Sequence, residues 1–173
     1  MIQKPDLLKL SQWQPIAEDF GLDGETYTLK ALPIYRTIEK LDRGEVRIMA
    51  NGGLSNYASA FVHNRRNDSG NIQGLYIYLS LLAPIAAVGR DTAYITGKAQ
   101  GYCMIEPTSV LTYSDLDSPF EQSVWRVIED GGFRFLSPSE ANTLLPADVA
   151  PYEYCLNKEP WDRVFHVLFS DTD

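Results

Sequence analysis

The most apolar stretch of the chain is GLYIYLSLLAPIAAVG, and no charged residue occurs from position 69 to position 89. A helix that spans a bilayer needs roughly 20 apolar residues, whereas the run Leu75–Val88 has 14 and is interrupted by Pro84. Continuous apolar runs rich in Tyr and Ile are typical of strands that are buried on both sides. The pattern therefore predicts a central strand over Leu75–Leu82, a second short strand or a bent continuation over Ile85–Val88, and a turn at Gly89-Arg90-Asp91.

Shorter apolar patterns on either side predict further elements. Ile34, Ile38 and Leu41 recur at helical spacing, which favours a helix over Ile34–Leu41, although a hairpin through LDRGEV fits the same residues. A short helix is expected up to Phe20, with Ser11 as its cap and Pro15 limiting its start to about Ile16. Strands are predicted over Glu25–Leu29, Val46–Ala50, Tyr57–His63, Tyr102–Ile105 and Arg163–Phe169. Phe133–Leu136 is expected to be a short strand or an extended connector.

The C-terminal third contains two helices with marked ends. In SPFEQSVWRVIEDGG, Ser118 is the expected cap, Pro119 occupies the first helical position, Glu121 completes a capping box, and the glycine pair closes the helix. SPSEANTLLP repeats the arrangement from Ser137 to Pro146. Because strands precede helices without regular alternation, the order predicts an α+β fold. We expect a single domain over residues 1–173, with a largely antiparallel sheet and helices packed on one face.

The charge is unevenly distributed along the chain. The formal net charge is −8; residues 1–110 carry equal numbers of acidic and basic residues, whereas residues 111–173 carry twelve acidic and four basic residues. An acidic surface disfavours nucleic acid as a partner, because phosphate binding needs basic surface. It favours a basic protein partner, although acidic surfaces also serve solubility alone.

Motifs for catalysis or cofactor binding do not stand out. The chain has neither a dinucleotide-binding nor a P-loop glycine pattern, and no cofactor or metal site is predicted. The two cysteines, Cys103 and Cys155, lack a metal-binding spacing. The N-terminal MIQKPDLLKL does not resemble a secretory signal, so we expect reduced thiols, a cytoplasmic location and no membrane association.

Two groups of residues are candidates for a functional site. The first joins acidic residues to an aromatic residue that could anchor a protein interface; its members are Glu153, Glu159, Trp161, Asp162 and Asp171. The second joins the two histidines to neighbouring arginines and would bind a small ligand or support catalysis; its members are His63, Arg65, Arg66 and His166. On the predicted strand, His166 shares a face with Val164 and Leu168, where a histidine is usually a hydrogen-bonded core residue.

The order of patterns over residues 71–173 resembles small bacterial immunity proteins, which are encoded beside polymorphic or contact-dependent toxins. The residues that carry the resemblance are the apolar strand, the capped helix, GFRFLSPSEANTLLP and VFHVLFSDTD. The resemblance implies a cytosolic, non-catalytic α+β protein that occludes a toxin, and the acidic C-terminal third would suit a basic toxin such as a nuclease. The alternatives are an enzyme or small-ligand-binding protein that uses the histidine group, and a homo-oligomeric subunit without a ligand of its own.

Overall fold

The computed structural model describes residues 1–51, 54–64, 71–94, 104–152 and 160–171. Five strands lie in these ranges: β1 (Gly44–Asn51), β2 (Tyr57–Asn64), β3 (Asn71–Ser80), β4 (Ile85–Tyr94) and β5 (Arg134–Phe135). They form one sheet in the order β1-β2-β3-β4-β5. Neighbouring strands from β1 to β4 are antiparallel, and β5 is parallel to β4. This arrangement confirms the α+β class and the largely antiparallel sheet.

The helices of the described residues are short, apart from one. They are α1 (Lys4–Ser11), α2 (Leu32–Glu39), α3 (Pro119–Asp130), α4 (Pro138–Ala141) and α5 (Val164–Leu168). A π-helical turn, Tyr27–Ala31, runs directly into α2. No helix in the described ranges is long and apolar enough to cross a membrane.

The apolar stretch forms the centre of the core, as predicted. β3 is the middle strand of the sheet, and β4 pairs with it from Ala86 to Tyr94. The predicted turn at Gly89-Arg90-Asp91 is wrong, because these residues continue β4. Gly89 is closely packed here, since a Cβ at this position would lie 3.0 Å from Cγ1 of Ile105 and that side chain would have to shift slightly.

The prediction that helices pack on one face of the sheet is wrong, because both faces carry helices. Leu75, Ile77 and Leu79 of β3 pack with α2 and α3. Tyr76 and Tyr78 of the same strand point the other way and pack with α1 and α5. An antiparallel sheet often leaves one face to solvent, but here alternate side chains of β3 are apolar on both faces, so each face needs a cover.

Two predicted strands and one predicted helix are also wrong. Glu25–Leu29 is helical and leads into the π-helical turn, and Arg163–Phe169 contains α5 instead of a strand. Every residue of α5 is buried, so it lacks the one-sided periodicity that distinguishes a helix from a strand. The helix expected from about Ile16 to Phe20 is absent; instead α1 ends at Ser11, the residue predicted to cap it, and Trp13 follows with a φ of 56°. Of the predicted strand Tyr102–Ile105, residues 102–103 lie outside the described ranges, and the remaining two are not in a strand.

The serine caps predicted for α3 and α4 are confirmed, whereas the capping box predicted at Glu121 is wrong, because the Glu121 carboxylate accepts from the Asp117 N–H instead of the Ser118 N–H. Ser118 Oγ accepts a hydrogen bond from the Glu121 N–H at 3.2 Å, and Ser137 Oγ accepts one from the Glu140 N–H at 3.2 Å. The Glu140 carboxylate in turn accepts from the Ser137 N–H, which completes the capping box. The second helix is shorter than predicted, because α4 ends at Ala141, well before Pro146.

Candidate functional site

A cleft of about 580 Å³ opens at one end of the sheet, on the face that carries α2 and α3. Its floor includes Val62, Leu75 and Arg90, which lie side by side on β2, β3 and β4. One wall is the N-terminal end of α3, and the opposite wall contains Leu41 and Asp42, which follow α2. We refer to this as the α3 cleft.

The positively charged side chain in the α3 cleft is that of Arg90, and it forms ion pairs with two carboxylates. Arg90 Nη2 donates to the Asp115 carbonyl oxygen at 2.8 Å and to Glu121 Oε2 at 2.9 Å. Arg90 Nη1 also forms an ion pair with Asp117. Burial raises the pKa of Glu121 above its usual range, and the nearby Arg90 charge opposes this shift. Arg90 therefore fixes the N-terminal end of α3 to the sheet, and its charge is already compensated.

His63 is the described member of the predicted histidine group that lines the α3 cleft. Its side chain is 2% exposed, with Nε2 3.7 Å from Glu45 Oε1 and its ring 5.6 Å from that of Phe61. Arg65 and Arg66, the neighbours predicted to act with it, lie outside the described residues.

His166 belongs to a different part of the molecule. It is buried in α5 on the opposite face of the sheet, and its Nδ1 accepts a hydrogen bond from the Arg163 N–H at 3.1 Å. Burial lowers its pKa to about 4, so the imidazole is neutral near pH 7. It is not among the residues that line the α3 cleft. Its packing counts against the predicted ligand-binding role, and its predicted position on a strand is wrong.

The predicted partner-binding group is only partly described. Glu153 and Glu159 lie outside the described residues. Trp161 and Asp162 precede α5 and are half-buried, and Asp162 forms an ion pair with Arg163 at 3.1 Å. Asp171 follows α5 and pairs with Ser55 through an isolated β-bridge. Since α5 separates its described members and two others lie outside the described ranges, this group stays a prediction.

Several acidic residues of the C-terminal third form ion pairs, most of them with cations from elsewhere in the chain. Asp117 and Glu121 contact Arg90, and Asp148 contacts Lys4 at 2.9 Å. Glu140 contacts both Arg134 and the N-terminal amino group. The acidic surface of the C-terminal third is therefore smaller than the sequence count of acidic residues indicates, because these four carboxylates are paired with cations.

A second cleft of about 380 Å³ gathers acidic residues that sequence reasoning missed. It lies beside the π-helical turn, and Leu29, which is 61% exposed, lies at its edge. The exposed carboxylates around it come from one short segment: Glu18, Asp19, Asp23 and Glu25. We refer to this as the acidic cleft.

The acidic cleft contains one basic side chain. Lys30 pairs with Asp19, whose pKa this hydrogen bond lowers, and lies over the Phe20 ring at 5.6 Å from its centroid. Sequence reasoning missed the cleft because the charges of residues 1–110 balance in number. The local signal was GLDGE, in which Gly24 has a φ of 81° and Asp23 Oδ1 accepts from the Glu25 N–H at 3.0 Å. This turn brings the carboxylates together.

Comparison of the chain with protein-family models, with curated proteins and with solved structures gave no match. Function is therefore inferred from the two clefts and from the charges of the chain. The described residues contain no group of three side chains suited to hold a metal ion.

Proposed function

We propose that the chain is a protein-binding module of immunity type, which occludes a basic protein partner such as a toxin of the nuclease class. The observation that carries the proposal is the acidic cleft, in which four exposed carboxylates face a single lysine beside the exposed side chain of Leu29. The resemblance of residues 71–173 to bacterial immunity proteins supports the same class and a cytoplasmic location.

The charge of the acidic cleft favours a basic partner. Lys30 compensates Asp19, which leaves Glu18, Asp23 and Glu25 exposed to solvent. Exposed carboxylates on a chain of net charge −8 attract a basic partner and speed the encounter. Attraction of this kind weakens as salt rises, because ions screen exposed charges.

The shape of the acidic cleft fits a long basic side chain. Lys and Arg pack their aliphatic stems on apolar surface while the charged end stays among polar groups. Leu29 and Phe20 supply apolar surface at this cleft, and the carboxylates supply the acceptors. A lysine or arginine of the partner would therefore satisfy both parts of the cleft at once.

One histidine of the catalytic alternative has a structural role. His166 is neutral and accepts a backbone hydrogen bond from the Arg163 N–H. This role supports binding over catalysis at His166.

A native pull-down from the source cells at low and at high salt tests the proposal. The protein retained at low salt is purified, its affinity for the chain is measured by calorimetry, and its toxicity is tested by expression in a host without the chain. We expect a basic protein that arrests growth, whose affinity falls with salt and with the double variant Asp23→Lys/Glu25→Lys. Co-expression of the wild-type chain should restore growth.

A matched control carries the same charge reversal away from the acidic cleft. Glu39 and Glu106 are exposed and do not line that cleft, so Glu39→Lys/Glu106→Lys should weaken binding less than the cleft variant does. Equal losses in both variants would contradict the assignment of the cleft. A retained protein that is harmless to the host would contradict the immunity class.

The α3 cleft favours small-ligand binding as a second candidate function. Its volume of about 580 Å³ is in the range of small-molecule sites. Three acidic residues, Asp42, Asp117 and Glu121, line the cleft together with the single basic residue Arg90, and this excess of negative charge suits a cationic amine. Titration with the diamine putrescine, followed by NMR, should then give saturable shifts at His63 and Gln73. Shifts that increase linearly with putrescine would contradict this alternative.

A further inference from the structure

The two edges of the sheet differ in how their backbone groups are satisfied. Along β4, the N–H of Leu136 donates to the Ala86 carbonyl oxygen and the N–H of Leu111 donates to that of Val88, each at 2.8 Å. β5 pairs with the same stretch of β4. At the other edge, β1 pairs with β2 alone among the strands of the described ranges. A strand that is paired along one side only can accept a further strand along its other side.

The part of β1 that is regular enough to accept a strand is short. Gly44–Ile48 keeps an unbroken register with β2, and a β-bulge between Ile48 and Ala50 then shifts the register. A bulge bends its strand and interrupts the ladder. The usable segment therefore has five residues, and Val46 is its midpoint.

We propose that β1 pairs with β1 of a second copy of the chain, antiparallel, about a two-fold axis at Val46. This symmetry places each residue of the regular segment opposite another residue of the same segment, so all five take part. Closed two-fold dimers are the commonest homo-oligomers. The proposed dimer surface, Gly44–Ile48, lies at the edge of the sheet, and its residues are not among those that line the acidic cleft.

The charges of β1 are complementary in this register and unfavourable in the neighbouring ones. An axis at Val46 places Glu45 of one copy opposite Arg47 of the other, twice. Residues that pair across two strands point to the same face of the sheet, whereas successive residues of one strand point to opposite faces. The two-fold axis must therefore pass through a residue and not between two residues, so the neighbouring registers have their axis at Glu45 or at Arg47. An axis at Glu45 places the two copies of Glu45 opposite each other, and an axis at Arg47 does the same with the two copies of Arg47. Like charges that lie directly opposite each other are destabilising.

The apolar residues of β1 are complementary in the same register. Ile48 is 45% exposed and comes opposite Gly44 of the second copy. Gly44 has no room for a side chain, because a Cβ would run into the carbonyl oxygen of Ile38. The most exposed side chain of the regular segment therefore faces its smallest residue, and pairing would cover apolar surface that is now open to solvent.

Sedimentation velocity over a series of protein concentrations tests the dimer and its register. We expect the wild-type chain to convert reversibly from monomer to dimer as concentration rises. The single variants Glu45→Arg and Arg47→Glu each create like-charge pairs and should dimerise about tenfold or more weakly. Mixed together, the two variants should associate with each other, because every opposed pair is then of opposite charge.

The swap Glu45→Arg/Arg47→Glu should restore self-association, and far-UV circular dichroism checks that each variant is folded. Lys9→Glu and Glu129→Arg, at exposed positions outside β1, are the matched controls and should dimerise like the wild type. A wild-type chain that stays monomeric throughout the series would overturn the proposal. So would single variants that dimerise as strongly alone as in the mixture.

Discussion

The face of the sheet that carries α2 and α3 is covered by helices with one apolar side, whereas the face that carries α1 and α5 is closed by a segment that is buried on all sides. On the first face, Val124 and Ile128 of α3 pack against apolar residues of β2 and β3. On the second face, every residue from Val164 to Ser170 is buried, including two polar ones.

Directional hydrogen bonds hold the second face together. Asn56, which is fully buried, donates from Nδ2 to the Val167 carbonyl oxygen at 3.0 Å and accepts at Oδ1 from the Ser170 N–H at 2.8 Å. Trp13 Nε1 donates to Ser170 Oγ at 2.7 Å. Apolar packing tolerates graded changes, whereas a buried polar anchor fails when one partner is removed.

The largest expected effect is the loss of the Asn56 anchor. Asn56→Leu keeps the approximate volume but leaves the Val167 carbonyl and the Ser170 N–H without their side-chain partner. We expect the free energy of unfolding to fall by about 3–5 kcal/mol, since each unsatisfied buried group is costly. Urea unfolding followed by circular dichroism measures it.

The matched control for Asn56 lies on the other face. Gln122 is half-exposed on α3, and Gln122→Leu should change the free energy of unfolding by no more than about 0.5 kcal/mol. If Asn56→Leu proved equally mild, the second face would be held by apolar packing alone and the comparison would fail.

The next effect is a pH dependence that arises on the second face. The pKa of His166 is about 4 in the folded chain because of burial, against about 6.5 in an unfolded chain. Between these values the unfolded state binds more protons, so stability falls as the pH drops from 6.5 to 4. The pKa difference corresponds to about 3 kcal/mol across that window, and below pH 4 this group adds no further loss.

His166→Gln tests this assignment, because glutamine can accept the Arg163 N–H hydrogen bond but does not titrate. The free energy of unfolding, measured by urea titration at several pH values, should depend less on pH in the variant than in the wild type. Identical slopes between pH 4 and pH 6.5 would show that other groups cause the dependence.

The same contrast explains which parts of the fold the sequence predicts. The cap of α3 needs only Ser118 and the residues just after it, and the central strand needs only one apolar run, so local patterns suffice. α5 was mistaken for a strand because burial on all sides removes the helical period. Arg90 was placed in a turn because Gly89 precedes it, although Gly89 lies within β4, where the Ile105 side chain packs against it.

The candidate sites were harder to predict than the fold. The acidic cleft depends on a turn at Gly24 that brings together the carboxylates of residues 18–25, and their charge is hidden when residues 1–110 are counted together. The two histidines looked equivalent in sequence, yet His63 borders the α3 cleft and His166 is packed behind the other face. Long-range packing decides where each histidine lies, and the neighbours of His63 and His166 in sequence do not carry that information.

The smallest expected effect is the loss of one helix cap on the first face. Ser118→Ala removes the acceptor of the Glu121 N–H and should lower the free energy of unfolding by about 1 kcal/mol. Ser123 lies on the same helix but only donates to the Pro119 carbonyl oxygen at 2.8 Å, so Ser123→Ala should change it by no more than about 0.5 kcal/mol. Both are measured by urea unfolding near pH 7. If Ser118→Ala lowered the free energy of unfolding as much as Asn56→Leu does, the first face would also depend on single polar contacts. The N-terminal end of α3 would then contribute more to its attachment than the packing of Val124 and Ile128.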